Sequence, residues 1–402
     1  MEDNSRGLLG GVRVVDVTRV LAGPFASMIL ADFGAEVIKI ELPEIGDDSR
    51  SFGPFVDGES AYFASVNRGK KSVAIDLRSD SGQAVVHRLI AESDVFLENF
   101  RPGSMARFGL DFEKIHKTNP RLIYVSISGF GQTGPYSQRP AYDVIIQAMS
   151  GIASITGVEG QPPIRVGSSI GDLSAALYGV IGITAALARA KETGTGQHID
   201  VSMLDCQIAL LENAIARYDV TSAVPGPLGS RHPAITPFQF FEASDGYLVI
   251  AAGNDRLWQS LCDTVGAPKL IEDDRFATND LRTKNHAELE AILGALFSRR
   301  TVSEWLALFE AAGIPSGPIQ NIEQVAADPH VAYRQMIKRQ SMPTVKASVA
   351  VPASPLKFSD EDCIMNPRPA PDLGEHTNEV LKKVAGITDD ELVTLRADGV
   401  IG

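Results

Sequence analysis

The sequence has little cysteine, no excess of positive charge and no secretory start, and each absence narrows the class of protein. Its 402 residues include three cysteines, Cys206, Cys262 and Cys363, which are far apart and odd in number. This usage is typical of reduced, structural thiols in a cytoplasmic protein, and it provides no metal-ligand spacing. The first residues, MEDNSRGLLGG, are acidic and lack an apolar core region, so no signal peptide is expected.

The net charge argues against one class of partner. Lysine and arginine number 37 against 50 acidic residues, which gives a formal net charge of −13 at pH 7. Nucleic-acid-binding proteins gain affinity mainly by neutralising phosphates, so we expect no nucleic-acid partner. One run, 169–190, approaches the length of a membrane span, but Gly179 and Gly182 within it and the neighbouring charges favour a core helix. We therefore expect no membrane partner either.

The first 220 residues alternate between β-rich and helical runs. An amphipathic helix is predicted at 81–94, and strand candidates occur at 11–17, 36–42, 71–77, 95–100 and 121–131. This alternation predicts an α/β fold with a mainly parallel sheet and helices on its faces. Ligands of such sheets lie at the carboxyl ends of the strands, where we expect the loops 18–24, 98–103 and 128–136.

Common phosphate-binding motifs are missing from the expected places. No G-x-G-x-x-G follows the first strand, and G-x-x-x-x-G-K-[ST] does not occur, so a dinucleotide site is poorly supported. Basic residues instead lie scattered at 67–72, Arg78, Arg101 and Arg107. They are compatible with phosphate binding and equally with an ordinary solvated surface.

The character of the sequence changes after about residue 220. A Pro- and Gly-rich stretch at 223–233 predicts a linker or crossing loop, and 243–255 predicts a hairpin followed by a Gly-rich loop. Helical runs follow at 255–266 and 286–313, the second with a break near residues 299–301. These features predict a second, smaller α/β domain.

The predicted domain borders follow from this change. The large domain is expected to combine 1–222 with a returning C-terminal part, 330–402, within which the segment 368–384 ends in an amphipathic helix begun near Thr377. The small domain is expected at 223–329.

One carboxylate stands at the head of the long apolar run 169–190. It belongs to Asp172, and the next formal charge is Arg189. Taken alone, Asp172 suits a helix N-cap, because its carboxylate can accept from unpaired N–H groups of the first turn. Gly179 and Gly182 disfavour the helix, so close packing against its surface is the expected reason for them.

Seven motifs occur in order along nearly the whole chain. They are VTRVLAGP (17–24), FGAEVIKIE (33–41), VNRGKKSVAIDL (66–77), ENFRPG (98–103), SGFGQTGP (128–135), GD (171–172) and LGEHT (373–377). In this order they resemble the family III CoA-transferases, the group of formyl-CoA transferase and carnitine CoA-transferase. Within that family, 46–55, 226–241 and 251–255 look most like the branch that moves CoA from succinyl-CoA to glutarate and similar dicarboxylates. The resemblance implies a large Rossmann-like domain, a smaller α/β domain and an interlocked homodimer.

The family's catalytic aspartate falls on Asp172, which implies a role beyond a helix cap. In the implied route, the carboxylate attacks the donor thioester, CoA thiolate leaves, and an acyl–aspartyl anhydride forms. The thiolate then attacks the aspartyl carbonyl, which gives an aspartyl-CoA thioester and releases the donor acid. The acceptor carboxylate reverses the sequence. CoA is a substrate in this route, and no tightly bound cofactor and no metal are implied.

The matched motifs also imply a set of CoA-binding residues. By position these are Val20, Ala22, Ile75, Arg78, Asn99, Phe100, Arg101, Arg107, Phe130 and Gly131. The arginines suit the CoA phosphates, because a guanidinium offers planar, bidentate donors. Leu21 departs from the formyl-CoA transferases, which carry glutamine there, and this argues against formate and oxalate as substrates.

A dicarboxylate acceptor needs a partner for the carboxylate that does not react. A remote charge is costly to bury without a cation. The candidates are Arg19, Arg165, and the adjacent Arg231 and His232. His376 in LGEHT is expected to be structural, because the central steps need no proton transfer.

Two alternatives stay open. An α-methylacyl-CoA racemase shares the fold and the aspartate, but its proton-shuttling set needs a histidine that is missing near 128–134. A non-catalytic CoA-binding protein is the other, and retention of Asp172 and of all the loops argues against it. An assay of CoA exchange decides between them.

Overall fold

Six parallel strands form the main sheet. They are β1 (Arg13–Asp16), β2 (Glu36–Glu41), β3 (Lys70–Ala74), β4 (Val95–Glu98), β5 (Ile123–Ser128) and β6 (His198–Ser202). Their order across the sheet is β3-β2-β1-β4-β5-β6, and every neighbouring pair is parallel. The predicted α/β class is therefore confirmed. Strands β1 to β5 are each shorter than the sequence run that indicated them, and no predicted run indicated β6.

The computed structural model describes residues 7–342, 344–360 and 368–402. The chain divides into two units, of which the first holds residues up to 152, 165–215 and 332–402. The second unit holds 153–164 and 216–331. Cys206 and Cys262 are free and buried, and burial raises the pKa of the Cys206 thiol to about 11, as expected for a structural thiol. Cys363 lies outside the described residues.

Eighteen α-helices occur in the described residues. In chain order they are α1 (Ala22–Asp32), α2 (Ala61–Val66), α3 (Asp80–Ala91), α4 (Ser104–Arg107), α5 (Phe112–Thr118), α6 (Asp143–Met149), α7 (Ile152–Ile155), α8 (Ile170–Thr193), α9 (Met203–Ala209), α10 (Ala214–Thr221), α11 (Asp255–Thr264), α12 (Asn279–Lys284), α13 (His286–Phe297), α14 (Val302–Ala311), α15 (Ile322–Ala327), α16 (Pro329–Tyr333), α17 (Thr377–Lys383) and α18 (Asp389–Ala397). Short 3-10 turns lie at Asp48–Ser51 and Pro268–Leu270.

The first unit has three layers, because the alternation of side chains along each strand fills two cores. Val14 points into a core shared with α1, α6, α8 and α9. Val15 points into the opposite core, which α3, α5, α17 and α18 cover. The C-terminal helices α17 and α18 thus complete the first unit. The loops 18–24, 98–103 and 128–136 follow strands of its sheet at the carboxyl edge.

Helix α8 places Asp172 in its first turn. The helix begins at Ile170 after the N-cap Ser169, so Asp172 is its third residue and the N-cap interpretation is wrong. One face of α8 packs on the sheet, whereas Leu177, Tyr178 and Ile181 on another face are exposed. The expected core helix is therefore buried on one face only. Among the described residues, α8 alone has the length and hydropathy of a membrane-spanning helix.

The second unit contains a small antiparallel sheet. Its strands are β7 (Phe238–Glu242), β8 (Tyr247–Ala251) and β9 (Ser316–Pro318), in the order β9-β8-β7. Trp258, Phe297 and Trp305 fill the core beneath it. The predicted break near 299–301 is confirmed, because α14 starts at a capping box of Thr301 and Glu304.

Two hairpins belong to the first unit. Strands β10 (Ile337–Met342) and β11 (Ala347–Pro352) form one of them, and the amide of Gln340 donates to the carbonyl of Ala64 at the end of α2 at 2.8 Å. A shorter hairpin joins Phe55–Val56 to Glu59–Ser60.

Candidate functional site

Two loops meet where the direction of the strand order reverses. In the order β3-β2-β1-β4-β5-β6 this point lies between β1 and β4, which is where open α/β sheets leave a crevice for ligands. The backbone N–H of Arg19, after β1, donates to Asn99 Oδ1 at 2.9 Å, and Asn99 Nδ2 donates to the carbonyl of Arg19 at 2.8 Å. This reciprocal pair fixes the loop after β1 to the loop after β4.

A cavity of about 500 Å³ opens at this edge, and Asp172 lies in its wall. The sequence-predicted residues that line it are Arg19, Val20, Ala22, Asn99, Phe100, Arg101, Arg107 and Asp172. They come from the loops after β1 and β4, from the start of α1, from α4 and from the first turn of α8. Residues predicted separately along the chain therefore share one site.

A second cavity of about 250 Å³ adjoins the first. Ile75 and Arg78 line it, and Arg19 and Phe100 line both cavities. Arg78 is held by its neighbour Asp76 through hydrogen bonds at 2.8 Å from Nε and from Nη2. The exposed guanidinium of Arg78 thus has a local carboxylate partner.

Phe130 and Gly131 lie beside the site and are not among the residues that line the two cavities. The ring of Phe130 meets Tyr136 edge-on at 5.7 Å between centroids. Arg231 and His232 belong to the second unit, where His232 packs against Phe238. Phe130 and Gly131 are therefore not part of the cavity walls, and the part expected of Arg231 and His232 stays a prediction.

The carboxylate of Asp172 is partly buried, and its pKa is unusual. Burial, with a further contribution from the negative charge of Asp143, raises the pKa of Asp172 to about 7. Asp143 is itself buried and accepts from the backbone N–H of Gly171 at 2.8 Å and from Gln147 Nε2 at 2.8 Å. Loss of hydration at Asp172 is the condition under which a carboxylate is a better nucleophile.

Gly171 is required by the close approach at the start of α8. A Cβ at this position would lie 2.8 Å from Nε2 of Gln207 and 3.0 Å from Oδ1 of Asp143. The same contacts bring the Asp143 carboxylate to the first turn of α8. The GD pair at 171–172 thus has a packing reason for its glycine.

The candidate acceptor cations differ in their partners. Arg19 pairs with Asp48 at 3.2 Å, and its guanidinium lies 4.8 Å from the centroid of the Phe100 ring. Arg165 lies 3.7 Å from Asp143 and is therefore connected to the Asp172 environment. Both guanidinium groups are half-exposed.

Three residues at the site were not singled out from the sequence. Arg139 lines the larger cavity, and its guanidinium carbon lies 3.8 Å from the centroid of the Tyr136 ring. Asp143 is the second, and its negative charge contributes to the raised pKa of Asp172. Tyr62 is the third, and its pKa is raised by burial and by the charges of Asp172 and Asp47. The string RPAYD at 139–143, directly after the loop 128–136, was the available signal for the first two.

The sequence of this chain was compared with those of known proteins. The profile of CoA-transferase family III matches residues 9–377. This chain belongs to CoA-transferase family III. The family assignment confirms the resemblance drawn from the seven motifs and establishes the protein as a CoA-transferase that uses CoA thioesters.

Individual relatives agree with this assignment. The mouse succinyl-CoA:glutarate CoA-transferase is 43% identical over 394 residues, which cover 98% of this chain and 90% of the relative. The acetyl-CoA:oxalate CoA-transferase of Acetobacter aceti is 42% identical over 381 residues, covering 94% and 96% of the two chains. The crystal structure of a CaiB/BaiF family protein from Brucella suis matches with a TM-score of 0.84 at 40% identity, covering 94% of this chain and 100% of that one. Fold and reaction class are therefore consistent across the relatives.

Proposed function

We propose that this protein transfers CoA from succinyl-CoA to glutarate or a similar dicarboxylate, with Asp172 as the covalent nucleophile. The observation that carries the proposal is a partly buried carboxylate of raised pKa in the same cavity wall as the CoA-binding motifs of the family. The names of the relatives support a dicarboxylate, since glutarate and oxalate both carry two carboxylates. Leu21 argues against oxalate, because the formyl-CoA transferases carry glutamine there.

The proposed reaction consumes the thioester of the donor and forms the thioester of the acceptor, with CoA as a free thiolate in each anhydride stage. The Asp172 carboxylate attacks the carbonyl carbon of succinyl-CoA, the C–S bond breaks, and CoA thiolate and an aspartyl–succinyl anhydride result. The thiolate attacks the aspartyl carbonyl, releasing succinate and leaving an aspartyl-CoA thioester. Glutarate then attacks that thioester to give a second anhydride and thiolate. Attack of the thiolate on the glutaryl carbonyl yields glutaryl-CoA and the free Asp172 carboxylate.

The proposed CoA contacts divide between the two cavities. Ile75 and Arg78 in the smaller cavity suit the nucleotide end, and Arg101 and Arg107 suit the phosphates. Arg78 binds a phosphate at the expense of its bonds to Asp76. Because Val20 and Ala22 line the same cavity as Asp172, we place the thioester end of CoA beside them.

Arg139 is the proposed partner of the remote acceptor carboxylate. Among the described residues it has no ion pair, whereas Arg19 is paired with Asp48 and Arg165 with Asp143. Arg139 lines the Asp172 cavity and not the smaller one, and stacking on the Tyr136 ring restricts its guanidinium. A cation held in this way can orient the acceptor for attack.

The test of the proposed function is a donor–acceptor matrix. Succinyl-CoA and acetyl-CoA are each combined with glutarate, oxalate, formate and valerate, and new CoA thioesters are measured by liquid chromatography. We expect the fastest exchange for succinyl-CoA with glutarate. Absence of exchange in every combination would refute the proposal, and racemisation of a 2-methylacyl-CoA would favour the alternative.

We expect a pH profile governed by Asp172. The ionised carboxylate is the nucleophile, so kcat/KM for succinyl-CoA should rise with pH and level off above the Asp172 pKa of about 7. Asp143→Asn removes the like charge and should shift the rise to lower pH. Initial rates between pH 5.5 and 8.5 measure both profiles. A flat wild-type profile would contradict the assignment, as would a shift of the variant to higher pH.

The same pKa has a consequence for stability. A carboxyl group whose folded pKa is raised favours folding at low pH, and this contribution is lost as pH rises through the folded value near 7. Asp172→Asn should therefore stabilise the protein at pH 8 by roughly 1 kcal/mol or more, and by less at pH 5. Urea unfolding at the two pH values measures the difference.

The proposed assembly is a homodimer that covers an apolar surface of the first unit. Leu177, Tyr178 and Ile181 of α8 lie exposed on one side of the sheet, as do Val144 and Ile145 of α6. Contiguous apolar surface of this kind marks an interaction site. An interlocked dimer would bury more than the roughly 1,600 Å² of a standard interface.

Sedimentation velocity tests the dimer. We expect one dimeric species over a wide dilution range, and Ile181→Glu should dissociate or unfold it, because a charge would be buried. Val393→Glu on α18, across the sheet, is the matched control, since Val393 is 69% exposed and Ile181 61%. A native, compact wild-type monomer on dilution would contradict the proposal.

A further inference from the structure

Val20 adopts a backbone conformation that its side chain disfavours. Its φ is +68°, in the left-handed region, where a β-branched residue is a rare outlier. The residue lies in the short turn between β1 and α1 and lines the Asp172 cavity. Such strain persists only where the surroundings hold it, and it concentrates at functional sites.

The turn is held on three sides. The backbone N–H of Val20 donates to Oδ1 of Asp47 at 3.1 Å. Arg19 exchanges two hydrogen bonds with Asn99, and the N–H of Thr18 donates to Asp16 Oδ1 at 2.8 Å. The bond from Val20 to Asp47 is the one made by the strained residue itself.

Asp47 is fixed by a buried ion pair. Its Oδ2 lies 2.8 Å from Nζ of Lys39, and both side chains are inaccessible to solvent. Its Oδ1 also accepts from the N–H of Ser49 at 2.8 Å, and its own N–H donates to Glu41 Oε2 at 3.0 Å. Lys39 in turn donates to the carbonyl of Thr18 at 2.8 Å. The pair therefore links the end of β2 to both ends of the strained turn.

We propose that Asp47 is a positioning residue for CoA transfer, which holds the strained turn at Val20 and thereby fixes the Leu21–Ala22 backbone opposite the Asp172 carboxylate. The inference rests on the proposed function. Without the Asp47 bond, Val20 relaxes toward negative φ and moves the first residues of α1. Displacements of about 1 Å at a reacting centre cost up to roughly 100-fold in rate.

The charges around the Lys39–Asp47 pair explain why an ionised carboxylate accepts the hydrogen bond from Val20. Lys39 faces Asp16, Glu41 and Asp47, and the second buried lysine, Lys70, lies 3.2 Å from Asp16. The Lys39 charge holds the pKa of Asp47 well below its usual range, although burial opposes this. Asp47 therefore stays ionised as an acceptor at neutral pH.

The decisive variants are Asp47→Asn alone and in a Val20→Gly background. Asn preserves the shape of the side chain but has a single acceptor oxygen, so it cannot accept from both Lys39 and the N–H of Val20. We expect kcat per folded enzyme to fall roughly 10- to 100-fold when Val20 is present. Glycine reaches φ > 0 without strain, so the same substitution should cost less than about 3-fold in the Val20→Gly background.

Asp32→Asn is the matched control. Asp32 forms a buried pair with Arg68, at 3.0 Å and 2.6 Å, at the other end of α1 and away from the cavities. Asp32→Asn should lower the melting temperature as Asp47→Asn does, but it should not lower kcat. Equal losses of kcat for Asp32→Asn and Asp47→Asn would overturn the inference, as would an equal Asp47→Asn effect in both backgrounds.

Hydrogen exchange separates this inference from the proposed function, because it needs no activity. We expect peptides covering residues 17–25 to exchange at least about 10-fold faster in Asp47→Asn than in the wild type or in Asp32→Asn. Unchanged exchange in Asp47→Asn would overturn the inference even in an active enzyme. A wild type without CoA transfer but with this exchange pattern would refute only the proposed function.

Discussion

Asp172→Ala is expected to lower the rate of CoA transfer by about 1,000-fold or more, as removal of a covalent nucleophile does. The two other carboxylates of the described site are already engaged, since Asp143 is held by Gly171, Gln147 and Arg165, and Asp48 pairs with Arg19 at 3.2 Å. Affinity for CoA should remain, since the two cavities keep their other lining residues. Steady-state rates and calorimetric CoA binding measure the two effects.

The control for this substitution lies on the same helix. Glu192→Ala changes an exposed carboxylate in the last turn of α8 and should leave both rate and CoA affinity within about 2-fold of the wild type. Undiminished turnover in Asp172→Ala would exclude Asp172 as the nucleophile. Loss of CoA binding in Asp172→Ala would indicate a structural defect instead.

The second large effect concerns the acceptor. Wild-type enzyme should use glutarate at least about 100-fold better than valerate, because a pocket built to pair a charge is left with an unpaired cation by the analogue that lacks it. Arg139→Met should reduce this ratio by at least about 10-fold, with the KM for succinyl-CoA little changed. Competition assays with both acceptors at fixed succinyl-CoA measure the ratio directly.

Arg165→Met distinguishes the clamp from its surroundings. Arg165 touches Asp143, so its loss should change the rates with glutarate and valerate by the same factor. A drop in the glutarate preference in Arg165→Met, with none in Arg139→Met, would transfer the role to Arg165. Equal rates with glutarate and valerate in the wild type would remove the case for any clamp.

The sheet was accessible to sequence reasoning, whereas the register of α8 was not. Alternating β-rich and helical runs indicate a parallel sheet whatever the exact strand ends, because the pattern is repeated many times. The start of α8 depends on the backbone around Ser169, and the preference of Asp172 for an N-cap is too weak to fix it. The apolar pattern of α8 also could not reveal that its face with Leu177 and Ile181 lies exposed in the single chain.

The sequence predicts the site residues that belong to recognisable motifs. It does not predict those that only the course of the folded chain brings to the cavity. Arg101 and Arg107 follow β4 in a recognisable loop, so their place at the carboxyl edge follows from the fold. Arg139 belongs to the string RPAYD, but its place in the cavity depends on the course of the loop after β5, which the string alone does not fix. The valine at position 20 gives no hint of φ +68°, because valine disfavours that conformation.

Direct trapping of the intermediate tests the central claim of a covalent aspartate. The enzyme is incubated with succinyl-CoA without an acceptor, treated with borohydride or hydroxylamine, and digested for mass spectrometry. We expect borohydride to convert the Asp172 side chain to the alcohol, or hydroxylamine to convert it to the hydroxamate, with no such product in Asp172→Ala. A modification on another residue, or an unmodified Asp172 in an enzyme that turns over, would contradict it.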